Sequence, residues 1–259
     1  MKNSSWILII MLIITGCSKN QEIYRQKFTD KYEVPALPGW IYKTPEKFVV
    51  GISLKSSNKN EMKEAAKQMA AVIESRNNSS YTIDNYASTT SDNILKSGKS
   101  QFKLNVSSSP ERTEEICNAL TLVDSLETLG YFFGLFSTEN NKKPRLKAKL
   151  EIQQLPENFE DDKLEIFADT INFHKTASSS SLISAWKTAA EEARYEIAKY
   201  LEKQVQSAII NTDENTEKRI VLETSKLLSR MRLNKSYIIT ELKDNLRIFK
   251  VYHEMEIKK

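Results

Sequence analysis

One residue near the start of the chain stands where its side chain could be covalently modified. Cys17 follows Thr15 and Gly16, which in turn follow nine consecutive apolar residues, 6–14, and a start that carries Lys2. A charged start, an apolar core of about 7–15 residues and small residues before a cut site characterise a secretory signal peptide, which is removed from the mature protein. A membrane-spanning helix needs about 20 apolar residues, so this run is too short to be one. The pattern indicates export of the chain.

Residues 14–17, Ile-Thr-Gly-Cys, resemble the bacterial lipobox. The resemblance implies that residues 1–16 are a lipoprotein signal peptide. It also implies that Cys17 becomes the first mature residue, with acyl chains such as palmitate on its sulfur and its amine. Two or more acyl chains hold a protein stably on a membrane, at about 0.8 kcal/mol per buried methylene. Ser18 stands where an acidic residue would, in some bacteria, retain a lipoprotein at the inner membrane, so we expect the outer membrane. An ordinary signal peptide with a chance cysteine is the alternative.

The few residues capable of acid–base or metal chemistry stand apart from one another in the sequence. The chain has two histidines, His174 and His253, and Cys117 is the one cysteine besides Cys17. His253 alternates with the apolar residues of a strand, which favours a core histidine. His174 has no carboxylate beside it in sequence, which favours a surface position at a strand end. Cys117 lies among apolar residues and is interpreted as a small buried hydrophobe, with a reactive thiol as the alternative. Zinc ligands usually come in close pairs, which these residues do not form.

The sequence patterns of the common catalytic classes are also missing. The chain contains no G-x-S-x-G elbow, and its six glycines form no phosphate-binding loop. The acidic stretch 157–162 lacks the ligand spacing of a calcium loop. A net charge of +4 gives no reason to expect a nucleic-acid partner. We therefore expect no enzyme activity, no cofactor and no metal. A pair of glycosidase carboxylates stays open as an alternative, because the separation of such a pair is spatial.

The first half of the chain combines short strands with an alanine-rich helix. Residues 17–35 are polar and are interpreted as a tether, and Pro38–Gly39–Trp40 begins an extended approach segment. A strand is predicted at 48–54, a helix cap at Ser56–Asn58 and a helix at 59–76. The apolar face of that helix is expected to consist of Met62, Ala65, Ala66, Met69, Ala70 and Ile73.

The middle of the chain is less regular. Residues 77–110 suggest either a polar helix or a long strand excursion, and residues 111–120 suggest one or two helical turns. Strands are predicted at 120–123 and 131–136, and the second of them is apolar on both faces, as a central strand would be. The linker 139–163 contains one predicted half-buried strand, in which alternate residues are apolar: Leu146, Ala148, Leu150 and Ile152.

The second half carries the strongest helical pattern of the chain. After a β-like run at 164–173 and four serines, 178–181, apolar residues recur at helical spacing, and Arg194 falls among the charged residues of the opposite side. The apolar side comprises Ile183, Trp186, Ala189, Ala190, Ala193, Ile197, Leu201, Val205 and Ala208. A second helix is predicted at about 213–231, followed by strands at 237–242 and 246–257.

The two halves repeat one order of features: a strand, a serine-rich turn, an alanine-faced helix and a terminal hairpin. Ala65 aligns with Ala189 at an offset of 124, and Phe132 aligns with Phe249 at an offset of 117. This repeat predicts an α+β fold with two similar domains, 36–138 and 164–259. In each domain, a long alanine-faced helix would pack on a small antiparallel or mixed sheet that ends in a β-hairpin.

The order of these features resembles that of the Lpp-twenty family of small membrane-associated bacterial lipoproteins. The resemblance covers 36–138 and is carried by Cys17, Pro38–Gly39–Trp40, the strand into Gly51 and the alanine-rich helix. The second copy lacks the Pro-x-Trp element. The resemblance implies an outer-membrane lipoprotein without known catalysis. Some relatives are surface antigens, and others assemble into rings or discs around flagellar motors.

These inferences lead to a binding protein of the cell envelope. We expect a non-enzymatic lipoprotein that is held to the membrane by acyl chains on Cys17 and binds envelope proteins or copies of itself. A periplasmic or surface binder of peptidoglycan or of a small ligand is the alternative. An envelope hydrolase is a less favoured one.

Overall fold

The computed structural model describes residues 31–77, 81–83, 104–106, 110–139, 149–157, 159–208 and 231–258. The helices in this part are α1 (Gly39–Tyr42), α2 (Lys59–Asn77), α3 (Pro110–Ala119) and α4 (Leu182–Ala208). The strands are β1 (Lys31–Glu33), β2 (Leu37–Pro38), β3 (Phe48–Leu54), β4 (Tyr81–Ile83), β5 (Leu104–Val106), β6 (Thr121–Thr128), β7 (Tyr131–Ser137), β8 (Leu150–Glu151), β9 (Leu164–Ile166), β10 (Thr170–Ser179), β11 (Met231–Lys243) and β12 (Leu246–Lys258). These strands pair in antiparallel fashion and combine with four helices, which is compatible with the predicted α+β class.

A three-stranded sheet forms in the order β3-β7-β6. Its central strand, β7, is buried along its whole length, as the continuous apolar sequence Tyr-Phe-Phe-Gly-Leu-Phe predicts. The hairpin between β6 and β7 turns at Leu129 and Gly130, which both have positive φ angles. Glycine adopts this backbone conformation without steric cost, so the turn depends on Gly130.

Helix α2 lies against this sheet and contacts β3 and β7. It begins after Asn58, whose Oδ1 accepts hydrogen bonds from the backbone N–H groups of Asn60 and Glu61 at 3.1 and 3.4 Å, as an N-cap does. The helix approaches the sheet closely at Gly51, where an added Cβ would stand 2.0 Å from the carbonyl oxygen of Ala66. The helix can lie this close only because Gly51 has no side chain.

A five-stranded sheet forms in the order β1-β11-β12-β10-β9. Its two longest strands, β11 and β12, meet at Asp244 and Asn245, whose φ angles are 49° and 65°. Two consecutive left-handed residues make the type of turn whose twist matches that of a hairpin. Helix α4 contacts β10 and β12. The alternate residues of β12 that were predicted to share one face are all buried: Phe249, Val251, His253, Met255 and Ile257.

The largest apolar cluster contains residues from both 36–138 and 164–259. Tyr131 of β7 is a point of direct contact between the two stretches. Its hydroxyl oxygen accepts a hydrogen bond from the backbone N–H of Leu182 at 3.0 Å, and its ring lies edge-on to Phe249 at 5.4 Å. Successive side chains of a strand point to opposite faces, so Tyr131 lies on the face of β7 opposite to that of Gly134. That face is therefore covered by the second half of the chain.

The approach segment around Trp40 was predicted to be extended, but it forms the helical turn α1. Trp40, Ile41 and Tyr42 are three consecutive large side chains, and all three are buried. A helical turn points consecutive side chains in different directions, so each of them can reach a different part of the core. The Trp40 indole N–H donates a hydrogen bond to Asp124 Oδ2 at 2.9 Å, and the Tyr42 hydroxyl donates to the Pro35 carbonyl at 3.0 Å.

Of the other strands and helices predicted from the sequence, some are confirmed, and some of their side chains are exposed where burial was expected. The strand 48–54 and the helix 59–76 are confirmed to within one residue, but Ala65 is exposed. Leu150 and Ile152 are exposed rather than half-buried, because β8 pairs with β2 over two residues only. Within 77–110, β4 pairs with β5. The remaining expectations for 84–103, for Leu146 and Ala148, and for a helix at 213–230 lie outside the described residues, and Met231 begins a strand.

The close approach at Gly51 gives a test of the packing of α2. We expect Gly51→Ala to lower the free energy of unfolding by at least about 2–3 kcal/mol, because the added methyl group meets backbone, which cannot rotate away. Gly39→Ala is a matched control, since its Cβ would lie 3.8 Å from the nearest neighbouring atom. Urea denaturation of both variants measures the difference, and equal stabilities would contradict the close contact.

Candidate binding surface

The predicted lipidation site, Cys17, lies outside the described residues, as do the signal peptide 1–16 and the tether up to residue 30. The described part begins with β1, in which Lys31 pairs with Leu242 of β11. Because β1 runs antiparallel to β11, the chain that precedes Lys31 leaves the sheet beside the β11–β12 turn. We call this end of the five-stranded sheet the tether end. None of the helices in the described part of the chain is long and apolar enough to cross a membrane.

The opposite end of the same sheet exposes two adjacent large apolar side chains. Ile166 is 53% exposed and Phe167 is 51% exposed, and we call this pair the distal patch. Ile166 pairs with Ile171, which pairs with Ile257 near the end of β12. From Leu246 to Lys258, β12 rises by about 3.3 Å per residue, which puts about 40 Å between the tether end and the distal patch.

The distal patch belongs to an edge strand. β9 pairs with β10 on one side, and no other strand in the described ranges pairs with its second side. Leu164 packs against the apolar cluster beneath α4, and the Phe167 backbone N–H donates to the Thr170 carbonyl at 2.9 Å. The strand is therefore held in place from within, while no strand of the described ranges pairs with its outer backbone groups.

A buried carboxylate, Glu254, fixes the sheet face beside β9. Its Oε1 accepts a hydrogen bond from Asn234 Nδ2 at 2.6 Å, and its Oε2 accepts one from Lys235 Nζ at 2.8 Å. The register of β11 shifts between Leu233 and Lys235, so Asn234 is the extra residue of a β-bulge, which turns its side chain towards Glu254. Burial raises the pKa of the Glu254 carboxyl. The neighbouring His174 imidazole and the bonds from Lys235 and Asn234 outweigh burial and lower that pKa to about 2.

His174 is buried, not at the surface as predicted, and it lies between two carboxylates. Its Nε2 stands 3.4 Å from Glu254 Oε2 and 3.6 Å from Glu165 Oε2. Phe159 stacks on the imidazole with ring centroids 4.7 Å apart. The prediction failed because it considered sequence neighbours, whereas both carboxylates come from adjacent strands. Phe159 also lies edge-on to Tyr252, so the loop before β9 is held down on the sheet.

His253 is buried beneath α4, as the prediction of a core histidine required. Its Nε2 lies 3.1 Å from the carbonyl oxygen of Trp186, to which it can donate a hydrogen bond. Burial lowers the pKa of His253 to about 3, so the ring is neutral at pH 7. Arg194, predicted on the charged side of its helix, is also buried, because its guanidinium reaches the C-terminal end of α2 and donates to Asn77 Oδ1 at 2.6 Å.

The remaining candidate for chemistry, Cys117, is half-buried on α3 at the edge of the main apolar cluster. Burial raises the pKa of its thiol, which disfavours the reactive thiolate. In the ranges that the structure describes, no three His, Cys, Asp or Glu side chains are arranged to hold a metal ion. Each end of the five-stranded sheet exposes large apolar side chains, Ile166 and Phe167 at one end and Leu246 at the other, which suit contact with another surface.

Comparisons with known proteins give no match. Neither protein-family models nor curated proteins nor solved structures match this chain. Sequence reasoning missed the distal patch, since Ile166 and Phe167 fell within one β-like run at 164–173. The signal that could have found the patch is Ala168–Asp169, which interrupts that run with a turn.

The Glu254 cluster generates a prediction about acid stability. The lowered pKa means that Glu254 stabilises the fold above about pH 4.5 and that this stabilisation is lost as the pH falls towards 2. We expect Glu254→Gln to lower the free energy of unfolding by about 2–3 kcal/mol at pH 7 and by much less at pH 3.

Glu241→Gln is a suitable control, because Glu241 pairs with Lys250 at 3.1 Å in a far more exposed setting, where such a pair contributes about 0–1 kcal/mol. Urea denaturation at the two pH values measures both variants. A Glu254→Gln effect that stayed constant from pH 7 to pH 3 would contradict the assignment.

Proposed function

We propose that this chain is a non-enzymatic lipoprotein of the cell envelope, anchored to the outer membrane through acyl chains on Cys17, that binds an envelope protein or a second copy of itself through its distal patch. The observation that carries this proposal is the separation of the two ends of the five-stranded sheet. The chain that leads to Cys17 departs at the tether end, and Ile166 and Phe167 are exposed at the other end. A tethered protein would present the distal patch away from the lipid.

The chemistry of the distal patch supports binding to protein. Two adjacent, half-exposed apolar side chains form a small contact area of the kind that marks interaction sites. The open side of β9 adds backbone N–H and C=O groups to which an extended segment can pair, as in recognition by β-strand addition. The main-chain bonds would supply affinity, while Ile166 and Phe167 would select the side chains of the partner.

We further propose that the two halves are copies of one module with the order strand, helix, hairpin. Two features support this. In the first half, β3 is followed by α2 and pairs with β7, the last strand of the β6–β7 hairpin. In the second half, β10 is followed by α4 and pairs with β12, the last strand of the β11–β12 hairpin. Each helix contacts the strand before it and the last strand of its module, α2 with β3 and β7, and α4 with β10 and β12.

The strand registers differ between the modules by two residues. The offset of 117 places Gly134 on Val251, and the helix offset of 124 places Gly51 on Lys175. Gly51 pairs with Gly134, whereas Val251 pairs with Ala177. The connection from strand to helix explains the shift, because it has four residues, 55–58, in the first half and two, 180–181, in the second. An even shift keeps every side chain on its own face of the sheet, so it is compatible with duplication.

The resemblance to the Lpp-twenty family is part of the same proposal. A relative of that family would share the lipid anchor, the absence of catalysis and the assembly with other envelope components. The fold class and the strand–helix–hairpin order are compatible with it. A binder of peptidoglycan or of a small ligand remains the alternative, and we attach no residues to it.

The anchor is tested by the mature N-terminus. We expect the purified native protein to begin at Cys17 and to carry acyl mass in mass spectrometry, and we expect Cys17→Ser to lose that mass and metabolic palmitate labelling. Cys117→Ser is the matched control and should keep both. A native product that begins at any other residue would contradict the proposal.

The binding surface is tested by crosslinking in the native envelope. We expect wild-type protein to give defined adducts, and the double variant Ile166→Ser, Phe167→Ser to lose them, because it removes the apolar contact without touching the core. Leu54→Ser is the control, since Leu54 is 64% exposed at a distant position and should leave the adducts unchanged. Wild-type protein without adducts, or equal loss in the control, would count against the distal patch.

A further inference from the structure

We propose that the tip of the β11–β12 hairpin, residues 243–247, is a membrane-contact site that inserts Leu246 among anionic lipids. The inference rests on the proposed lipid anchor and adds a second, non-covalent contact with the same membrane. Leu246 is 63% exposed, and Lys243 and Arg247, which flank the turn, are exposed as well. Asp244 is the one acidic residue of the tip.

The position of the tether gives the reason to assign this tip to lipid. Lys31 pairs with Leu242, and Lys243 pairs with Leu246 at the turn, so the segment that leads to Cys17 departs beside Leu246. Thirteen residues, 18–30, separate Cys17 from Lys31, and the fourteen Cα-to-Cα steps span at most about 50 Å when extended. Every shorter arrangement of the tether brings the tip nearer to the bilayer, whereas the distal patch stays about 40 Å further along the sheet.

The chemistry of the two ends of the sheet differs in the way that a membrane contact requires. At the tip, one large apolar side chain is flanked by a lysine and an arginine, whose long stems can lie along lipid while their charges reach the headgroups. At the other end, Asp169 stands two residues after Phe167 and adds a carboxylate that anionic headgroups would repel, while Lys258, which pairs with Thr170 in the sheet, forms an ion pair with Glu46 at 2.6 Å. Each basic residue near an anionic surface strengthens binding by roughly fivefold. The tip therefore fits an anionic bilayer, and the distal patch does not.

The turn geometry supports insertion as a rigid element. Asp244 and Asn245 both adopt left-handed backbone angles, which these two residue types tolerate better than most. A tight two-residue turn holds Lys243 and Leu246 opposite each other, so the apolar side chain and its basic neighbour approach the bilayer together. No folding of a loop is needed before contact.

Tryptophan fluorescence quenching by lipid tests this inference on the full mature lipoprotein. Leu246→Trp and the matched control Phe167→Trp are reconstituted separately into phosphatidylethanolamine vesicles that contain brominated phosphatidylglycerol. We expect quenching of the tryptophan at 246 to exceed that at 167 at least threefold, after subtraction of wild-type protein with Trp40 and Trp186. We expect the excess to fall by about half or more when Lys243→Glu and Arg247→Glu are added, or when brominated phosphatidylethanolamine alone forms the vesicles.

The outcomes separate this inference from the anchor on which it rests. Flotation of the protein with vesicles together with equal quenching at 246 and 167 would overturn the tip contact and leave the anchor in place. Stronger quenching at 167 would overturn the assigned orientation and with it the tip contact. Failure of the protein to float would overturn both proposals. Urea denaturation of each variant shows that the substitutions at these exposed positions leave the fold intact.

Discussion

The fold depends on one constraint, that both faces of strand β7 must be covered. β7 is buried at all seven positions, and its neighbour β3 is nearly as apolar. One face is covered by α2, which comes close enough only because Gly51 leaves room for the Ala66 carbonyl. The other face cannot be left in water, since each large apolar side chain gains about 1.5–3 kcal/mol on burial. Contacts of Tyr131 with Leu182 and Phe249 show that the second half of the chain covers it.

The five-stranded sheet differs from the three-stranded sheet, because it contains charged residues that are buried together with their partners. Glu254 accepts hydrogen bonds from Asn234 and Lys235 on the adjacent strand. Without such partners, burial of its carboxylate would lower the free energy of unfolding by several kcal/mol. His253, on the neighbouring position of β12 and therefore on the other face, is neutral and hydrogen-bonded to a helix carbonyl. The side chains of β12 thus alternate in direction. One set lies in the apolar interior beneath α4, and the other set faces the polar network beneath the loop that carries Phe159. Helix α4 thus covers part of one face of the sheet, and the loop that carries Phe159 covers part of the other.

Local patterns in the sequence predicted the local elements well. Alternation and helical spacing placed β3, α2, β7 and β12 within one or two residues, because each of these elements buries a continuous face of its own. The failures involve neighbours that are distant in sequence. His174 and Arg194 were assigned to the surface, but cross-strand carboxylates and the end of α2 bury them. Leu150 and Ile152 alternate correctly, yet their strand finds a partner over only two residues. The distal patch could be predicted only in part. Ala168–Asp169 indicates the turn, whereas the exposure of Ile166 and Phe167 depends on what the rest of the chain leaves uncovered.

The length of the β11–β12 hairpin determines how far apart the two ends of the five-stranded sheet lie. β10 pairs with β12 only as far as Phe249, so residues 241–248 of the β11–β12 hairpin extend past β10 to the turn. β1 pairs with this extension and so attaches the N-terminal segment there instead of near the core. β9, by contrast, pairs at the far end of β10, next to the last residues of β12. Under the proposed function, this separation would let the sheet act as a rigid spacer, with the membrane at one end and the partner at the other.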